Sequence, residues 1–249
     1  MQDSVSLLPV LVALTFLLAG FVKGVIGLGL PTVAVGLLGL VMAPSQAVAL
    51  LVVPSLVTNL WQLLAGPAFL PLLLRLWPML FGLCIGAWLS AGWLSPDAGE
   101  RATAMLGMAL VAYAAIGLRA QRFHVAPQWE RWLSPLVGMV TGMIATTTGV
   151  FVVPAVPYLQ ALNLGRDDLV QALGLSFTVS TIALAVILLD NGGLQLSVAG
   201  ASVAALVPAF GGMLFGQRMR RRIRPETFRR CFFVGLLLLG AHLALRPAF

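Results

Sequence analysis

Long apolar stretches alternate along the whole chain with short groups of charged residues, proline and glycine. Cut at those groups, the apolar segments are 5–22, 26–42, 45–66, 71–94, 100–118, 133–145, 149–162, 168–189, 194–216 and 227–245. A helix that crosses the hydrocarbon core of a bilayer needs about 20 apolar residues, so the pattern predicts an all-α polytopic integral membrane protein with roughly eight to ten membrane segments. Two stretches are irregular. Residues 5–42 are too long for one helix and are broken by Lys23-Gly24 and by Gly27-Leu28-Gly29-Leu30-Pro31, while 133–162 is broken at Ala145-Thr146-Thr147-Thr148-Gly149. Each break reads as a helix pair or a re-entrant glycine-rich hairpin, because irregular backbone at membrane depth survives only where protein or a wet cavity satisfies it.

The two breaks correspond to each other. Gly20-x-x-x-Gly24 recurs as Gly138-x-x-x-Gly142 at an offset of 118, which sets Gly27–Pro31 against Ala145–Gly149. Further on, Pro78-x-x-x-Gly82-x-x-x-Gly86 recurs as Pro208-x-x-x-Gly212-x-x-x-Gly216, and Pro96-Asp97 as Pro225-Glu226. One G-x-x-x-G alone is ordinary packing of membrane helices through small residues. Ordered recurrence of all three makes an internal duplication, with a first repeat at 1–118, a connector at 119–132 and a second repeat at 133–249.

Composition excludes the aqueous alternatives. Of 249 residues 60% are apolar and 9% charged, and the mean hydropathy is +1.01, whereas a soluble domain has about 25% charged residues. No room remains for a soluble catalytic module, a nucleic-acid-binding domain or a receptor ectodomain. The net charge of +7 matters through its location. Arg218, Arg220, Arg221, Arg222, Arg224, Arg229 and Arg230 crowd one connection, and Arg119, Arg122 and Arg131 another. Positive charge marks cytoplasmic loops, so 217–230 and 119–132 are both expected inside. That requires each broken stretch to enter and return, which leaves an odd number of further crossings per half. The halves are then inverted repeats, as in many secondary transporters, and both termini lie outside. The first apolar run lacks the cationic start of a signal peptide and is expected to be retained. Cys84 and Cys231 fall in apolar segments and read as packing residues.

Gly20-Phe21-Val22-Lys23-Gly24-Val25-Ile26-Gly27-Leu28-Gly29-Leu30-Pro31, together with Gly138–Pro154, resembles the paired signatures of the TauE/SafE permeases, also called sulfite exporters. The similarity runs through both halves and includes the Pro-x-x-x-Gly-x-x-x-Gly helices. It implies a multi-pass transporter of the bacterial inner membrane that moves sulfite, organosulfonates or related small sulfur anions. The second box departs from the family pattern, with Thr146, Thr147 and Thr148 where glycines are usual.

Candidate chemistry centres on the breaks. Lys23 is the only lysine and the only charged residue between Asp3 and Arg75. A lysine in mid-membrane costs about 2.5–3.5 kcal/mol on insertion scales, and no buried acid is at hand to neutralise it; an anionic substrate would. The competing reading is an interfacial lysine whose stem carries the ammonium to the headgroups. A half-helix after Gly27–Pro31, and another after Thr148-Gly149, would aim free N–H groups at an oxyanion, with Gly27 and Gly29 allowing close approach. The threonines either line the site or bond back to their own helix. Ser55, Asn59 and Gln62 share one helical face, and Gln171, Thr178 and Thr181 another; Asn59 is the strongest single candidate among these neutral groups. The expected substrate-binding set is therefore Lys23, Gly27, Gly29, Asn59, Thr146, Thr147, Thr148, Gly149 and Thr178.

All eight acids fall in loops or at segment ends, so no intramembrane carboxylate pair exists for metal binding or a proton relay. No catalytic set converges, and an enzyme is not expected. The partners are a small anion and the lipid bilayer, with no cofactor, metal or nucleic acid; oligomeric state is not legible. Together with what the resemblance to the TauE/SafE permeases implies, the expected function is export of a small sulfur oxyanion by alternating access. Two alternatives stay open: an ion-coupled uptake permease for another organic anion such as a carboxylate, and a non-transporting structural subunit.

Overall fold

The computed structural model describes residues 2–91, 99–119, 124–190, 196–220, 222 and 224–245. Among these the chain forms ten helices and no strand: α1 (Gln2–Ile26), α2 (Leu30–Leu38), α3 (Pro44–Leu64), α4 (Phe69–Leu89), α5 (Gly99–Arg119), α6 (Pro127–Thr148), α7 (Ala155–Ala161), α8 (Arg166–Asp190), α9 (Leu196–Met219) and α10 (Pro225–Leu245). Seven of them, α1, α3, α4, α5, α8, α9 and α10, are long and apolar enough to cross a membrane. At 9 and 7 residues α2 and α7 are too short to cross, and the first turns of the 22-residue α6 carry Glu130 and Arg131. The Pro96-Asp97 motif and Arg122 lie outside the described residues.

Glycines end α1 and α6. Gly27 (φ 82°) and Gly29 (φ 104°) take left-handed conformations that reverse the chain between α1 and α2, and Pro31 in the first turn starts α2 without wasting an N–H. Gly149 (φ 72°) ends α6, its N–H bonding the Ala145 carbonyl. The segment expected at 26–42 is thus a three-residue turn after Ile26 followed by a helix that stops at Leu38. The segment expected from 133 begins instead at Pro127, where a proline and the acid Glu130 in the first turn favour a helix start.

The small-residue motifs pair helices that are far apart along the chain. Gly20 and Gly24 of α1 lie on the carbonyls of Ala209 and Met213 in α9, while Gly212 and Gly216 of α9 lie on those of Leu17 and Phe21. Gly138 and Gly142 of α6 meet Met79 and Leu83 of α4 in the same way, and Gly82 and Gly86 of α4 meet Pro135 and Met139. A Cβ at any of these glycines would stand 1.9–2.3 Å from a carbonyl oxygen, so nothing larger fits. The α1–α9 contacts become the α6–α4 contacts, residue for residue, on shifting the first by 118 and the second by 130. Within each pair the helices run parallel.

Two other helix pairs are in close contact. Gly66, Leu63 and Asn59 along α3 and its end face Gln171, Gly174 and Thr181 of α8, and Gly107 and Gly117 of α5 face Ala244 and Phe233 of α10. Both pairs are antiparallel. The inner helices are α3 and α8, whose spans are each 67% buried; outward, side chains such as Leu74 and Val207 are exposed as lipid-facing residues are.

Proline placement adds a further tie. Pro54 inside α3 has no N–H for the Leu50 carbonyl, and Ser202 of α9 supplies the missing donor at 2.8 Å while accepting from Val53 N–H at 3.2 Å. An unpaired carbonyl inside a membrane protein is costly, and a hydroxyl from the neighbouring helix removes that cost.

Candidate substrate site

Among the described residues Lys23 is the one charged side chain that is buried, at 3% exposure. It lies in the last turn of α1, where the reversal at Gly27 brings it against α3. Its ammonium donates to Asn59 Oδ1 and, at 3.1 Å, to Thr58 Oγ1. Both acceptors are oriented by bonds of their own. The Thr58 hydroxyl donates to the Pro54 carbonyl at 2.7 Å, leaving its lone pairs for the lysine. Asn59 Nδ2 donates to Thr181 Oγ1 at 3.3 Å, and the Thr181 hydroxyl donates to the Phe177 carbonyl at 2.7 Å. One turn further along α3, Gln62 Nε2 donates to the Gly27 carbonyl at 2.7 Å.

This arrangement leaves positive charge and hydrogen-bonding capacity unused. Lys23 has no carboxylate partner among the described residues, where Arg75 and Glu130 form an ion pair of their own. An ammonium has three donors, and two are engaged. Ser55 Oγ and Gln62 Oε1 on α3, and Ser176 Oγ and Ser180 Oγ on α8, are buried without a partner, as is Thr32 Oγ1 near the start of α2. Buried polar atoms are nearly always bonded, and of these free groups Ser55 lies one turn from Asn59 on α3 and Ser180 next to Thr181 on α8.

The structure brings together only part of the set expected from the sequence. Lys23, Asn59 and the carbonyl of Gly27 meet, joined by Thr58, Gln62 and Thr181. Gly29 caps α2, its carbonyl accepting from Val33 at 2.8 Å, and a side chain there would press on Val22 and Phe232. Thr178 is buried and bonds back to the Gly174 carbonyl at 2.7 Å. Gln171 holds the α3–α4 turn, through Leu63, Gly66 and Ala68. Thr146, Thr147 and Thr148 donate to Gly142, Met143 and Ile144 at 2.9, 2.9 and 2.6 Å, within their own helix. Gly149 sits against Val48, whereas Gly27 sits near Gln62. Those two α3 positions are about 21 Å apart at 1.5 Å per residue, so the two breaks lie at different heights in the bundle.

Basic groups approach the Lys23 break. Val170 of α8 borders Gly27, and one turn earlier Arg166 lies near Arg220, which follows α9. Burial and the nearby Arg166 push the Arg220 guanidinium below its usual range, and Asp167 partly offsets them. The sequence reading missed a second cluster here: Arg75 makes a two-pronged bond to Glu130 at 2.7 and 2.9 Å and reaches the Leu162 carbonyl at 3.4 Å. Tyr158 bonds Ser134 at 2.5 Å beside it. Arginine and acid stand 55 residues apart, and only the α4–α6 pairing makes them neighbours. No group of three or more metal-ligating side chains occurs among the described residues.

The family model for the sulfite exporter TauE/SafE matches residues 12–243 of the chain. No curated protein and no solved structure matches it.

Proposed function

Because the chain belongs to the TauE/SafE sulfite exporter family, a family of membrane transporters, we propose that it carries a small sulfur oxyanion, sulfite or an organosulfonate, out of the cell. Lys23 supplies the positive charge, and Thr58, Asn59, Gln62 and Thr181 with the Gly27 backbone supply the surrounding polar groups. The observation that carries this reading is a buried ammonium held only by neutral acceptors. An anion is the partner that neutralises it. The protein acts as a carrier, not an enzyme.

Alternating access follows from an inverted repeat. Its support is the exchange of contacts between α1–α9 and α6–α4, and the antiparallel meeting of α3 with α8 and of α5 with α10. In this scheme the Lys23 break and the Thr146–Gly149 break serve opposite ends of the bundle. Both arginine-rich connections then face the cytoplasm of a bacterial cell and both termini face outward. An anion leaving a cell with an inside-negative potential gains about 2.3 kcal/mol per charge per 100 mV, so efflux needs no coupling ion.

Proteoliposomes containing the purified protein, loaded in turn with sulfite, organosulfonates, thiosulfate and small carboxylates, test the reading. Voltage-driven efflux of sulfite and the organosulfonates that persists at collapsed pH gradient is expected. Flux of carboxylates alone, or flux that stops with the pH gradient at clamped voltage, contradicts it.

A further inference from the structure

Resting on that reading and extending it to the charge of the substrate, we propose that the Lys23 site accepts monoanions and rejects dianions of the same shape. The inference comes from counting charge around the site. Lys23 is the single charged side chain buried among the described residues. The second half offers no matching cation: the residue equivalent to Lys23 at the offset of 118 is Thr141, which is fully buried and donates to the Val137 carbonyl at 2.7 Å. Arg75, the other basic residue within the first four helices, is paired with Glu130, and of the arginines near the break Arg166 is exposed and Arg220 is half-buried with Asp167 close by, so neither is a buried counter-charge. The remaining polar groups, Thr58, Asn59, Gln62 and Thr181 with the unpartnered Ser55 and Ser180, are neutral.

These neutral groups can bond oxygen atoms but cannot cancel a second charge. One negative charge beside Lys23 leaves the buried site neutral. A second would stand uncompensated where removing an ion from water is expensive and attraction to one ammonium is already spent. Sulfite is therefore carried as hydrogensulfite, and a sulfonate with one ionised group is a better ligand than sulfate. Each molecule transported moves one elementary charge.

Methanesulfonate and sulfate separate the effect of charge from that of shape, since both are tetrahedral at sulfur and differ by a methyl group in place of one charged oxygen. Calorimetric titration of the purified full chain with each, at fixed ionic strength, should give at least about tenfold tighter binding of methanesulfonate, in keeping with the poor return on burying an unpaired charge. Sulfate binding as tight or tighter would overturn the charge match and leave the transport reading standing. Binding of neither methanesulfonate, sulfate nor sulfite would remove the transport reading and this inference with it.

Discussion

The Lys23 ammonium donates to the Asn59 side-chain oxygen, and the amide nitrogen of the same Asn59 donates to Thr181. One residue on α3 thereby links a cation on α1 to a hydroxyl on α8. Under the proposed function, an anion that takes the ammonium from Asn59 would loosen the α1–α3 bond at the residue that also holds α8.

A buried charge without a counter-ion stabilises nothing by itself. Replacing such a group with an apolar residue of similar volume is often neutral or stabilising, although Lys23→Met leaves the Asn59 oxygen short of a donor. The anion-free Lys23→Met protein should melt within a few degrees of wild type in detergent. Added sulfite should raise the melting temperature of wild type only, through linkage. Equal stabilisation of both by sulfite would place the anion elsewhere.

Thr147 and Thr181 both donate to a carbonyl of their own helix, so what separates them is the further partner each one serves. Thr147 donates to Met143, whereas Thr181 also accepts from Asn59. Thr181→Val should weaken anion binding by about 1–2 kcal/mol, the scale of one hydrogen bond, and Thr147→Val by less than about 0.5 kcal/mol. Titration of the two variants side by side checks this, and the reverse order would return the threonine run to the binding site.

Ser202→Ala removes the donor that serves the Leu50 carbonyl exposed by Pro54. An acceptor left unpaired in the interior should destabilise the protein by about 1–3 kcal/mol. Thermal melting of the variant in detergent, with Ser197→Ala as a control, gives the comparison; an unchanged melting temperature for Ser202→Ala would mean that the carbonyl finds another donor.

Side-specific labelling tests the arrangement of the halves. With Cys84 and Cys231 replaced by serine, single cysteines at His124 and Gln217 should both react with an impermeant reagent from the cytoplasmic side only. Reaction of the two from opposite sides would rule out the inverted arrangement.

Much of the fold was legible because each constraint is local. Apolar runs mark helices, glycines and prolines mark their ends, and the G-x-x-x-G motifs mark where helices pack closely. The spacing could not tell which motif packs on which: each one lies against the other half, Gly20 on Ala209 and Gly138 on Met79. At the site, Lys23 and Asn59 stood out by being polar in apolar surroundings. The use of Thr146, Thr147 and Thr148 was not legible, since a hydroxyl that bonds its own turn and one that faces a ligand have the same sequence pattern. The Arg75–Glu130 pair was hidden by its separation along the chain.

The central claim, that Lys23 carries the anion across the membrane, is tested most directly by sulfite flux in proteoliposomes containing equal amounts of wild type and Lys23→Gln. The substitution keeps a hydrogen-bond donor and removes only the charge. Wild type should release sulfite in response to an outward-driving potential, and Lys23→Gln, inserted and folded as well as wild type, should lose most of that flux. Undiminished sulfite flux through Lys23→Gln would contradict the account.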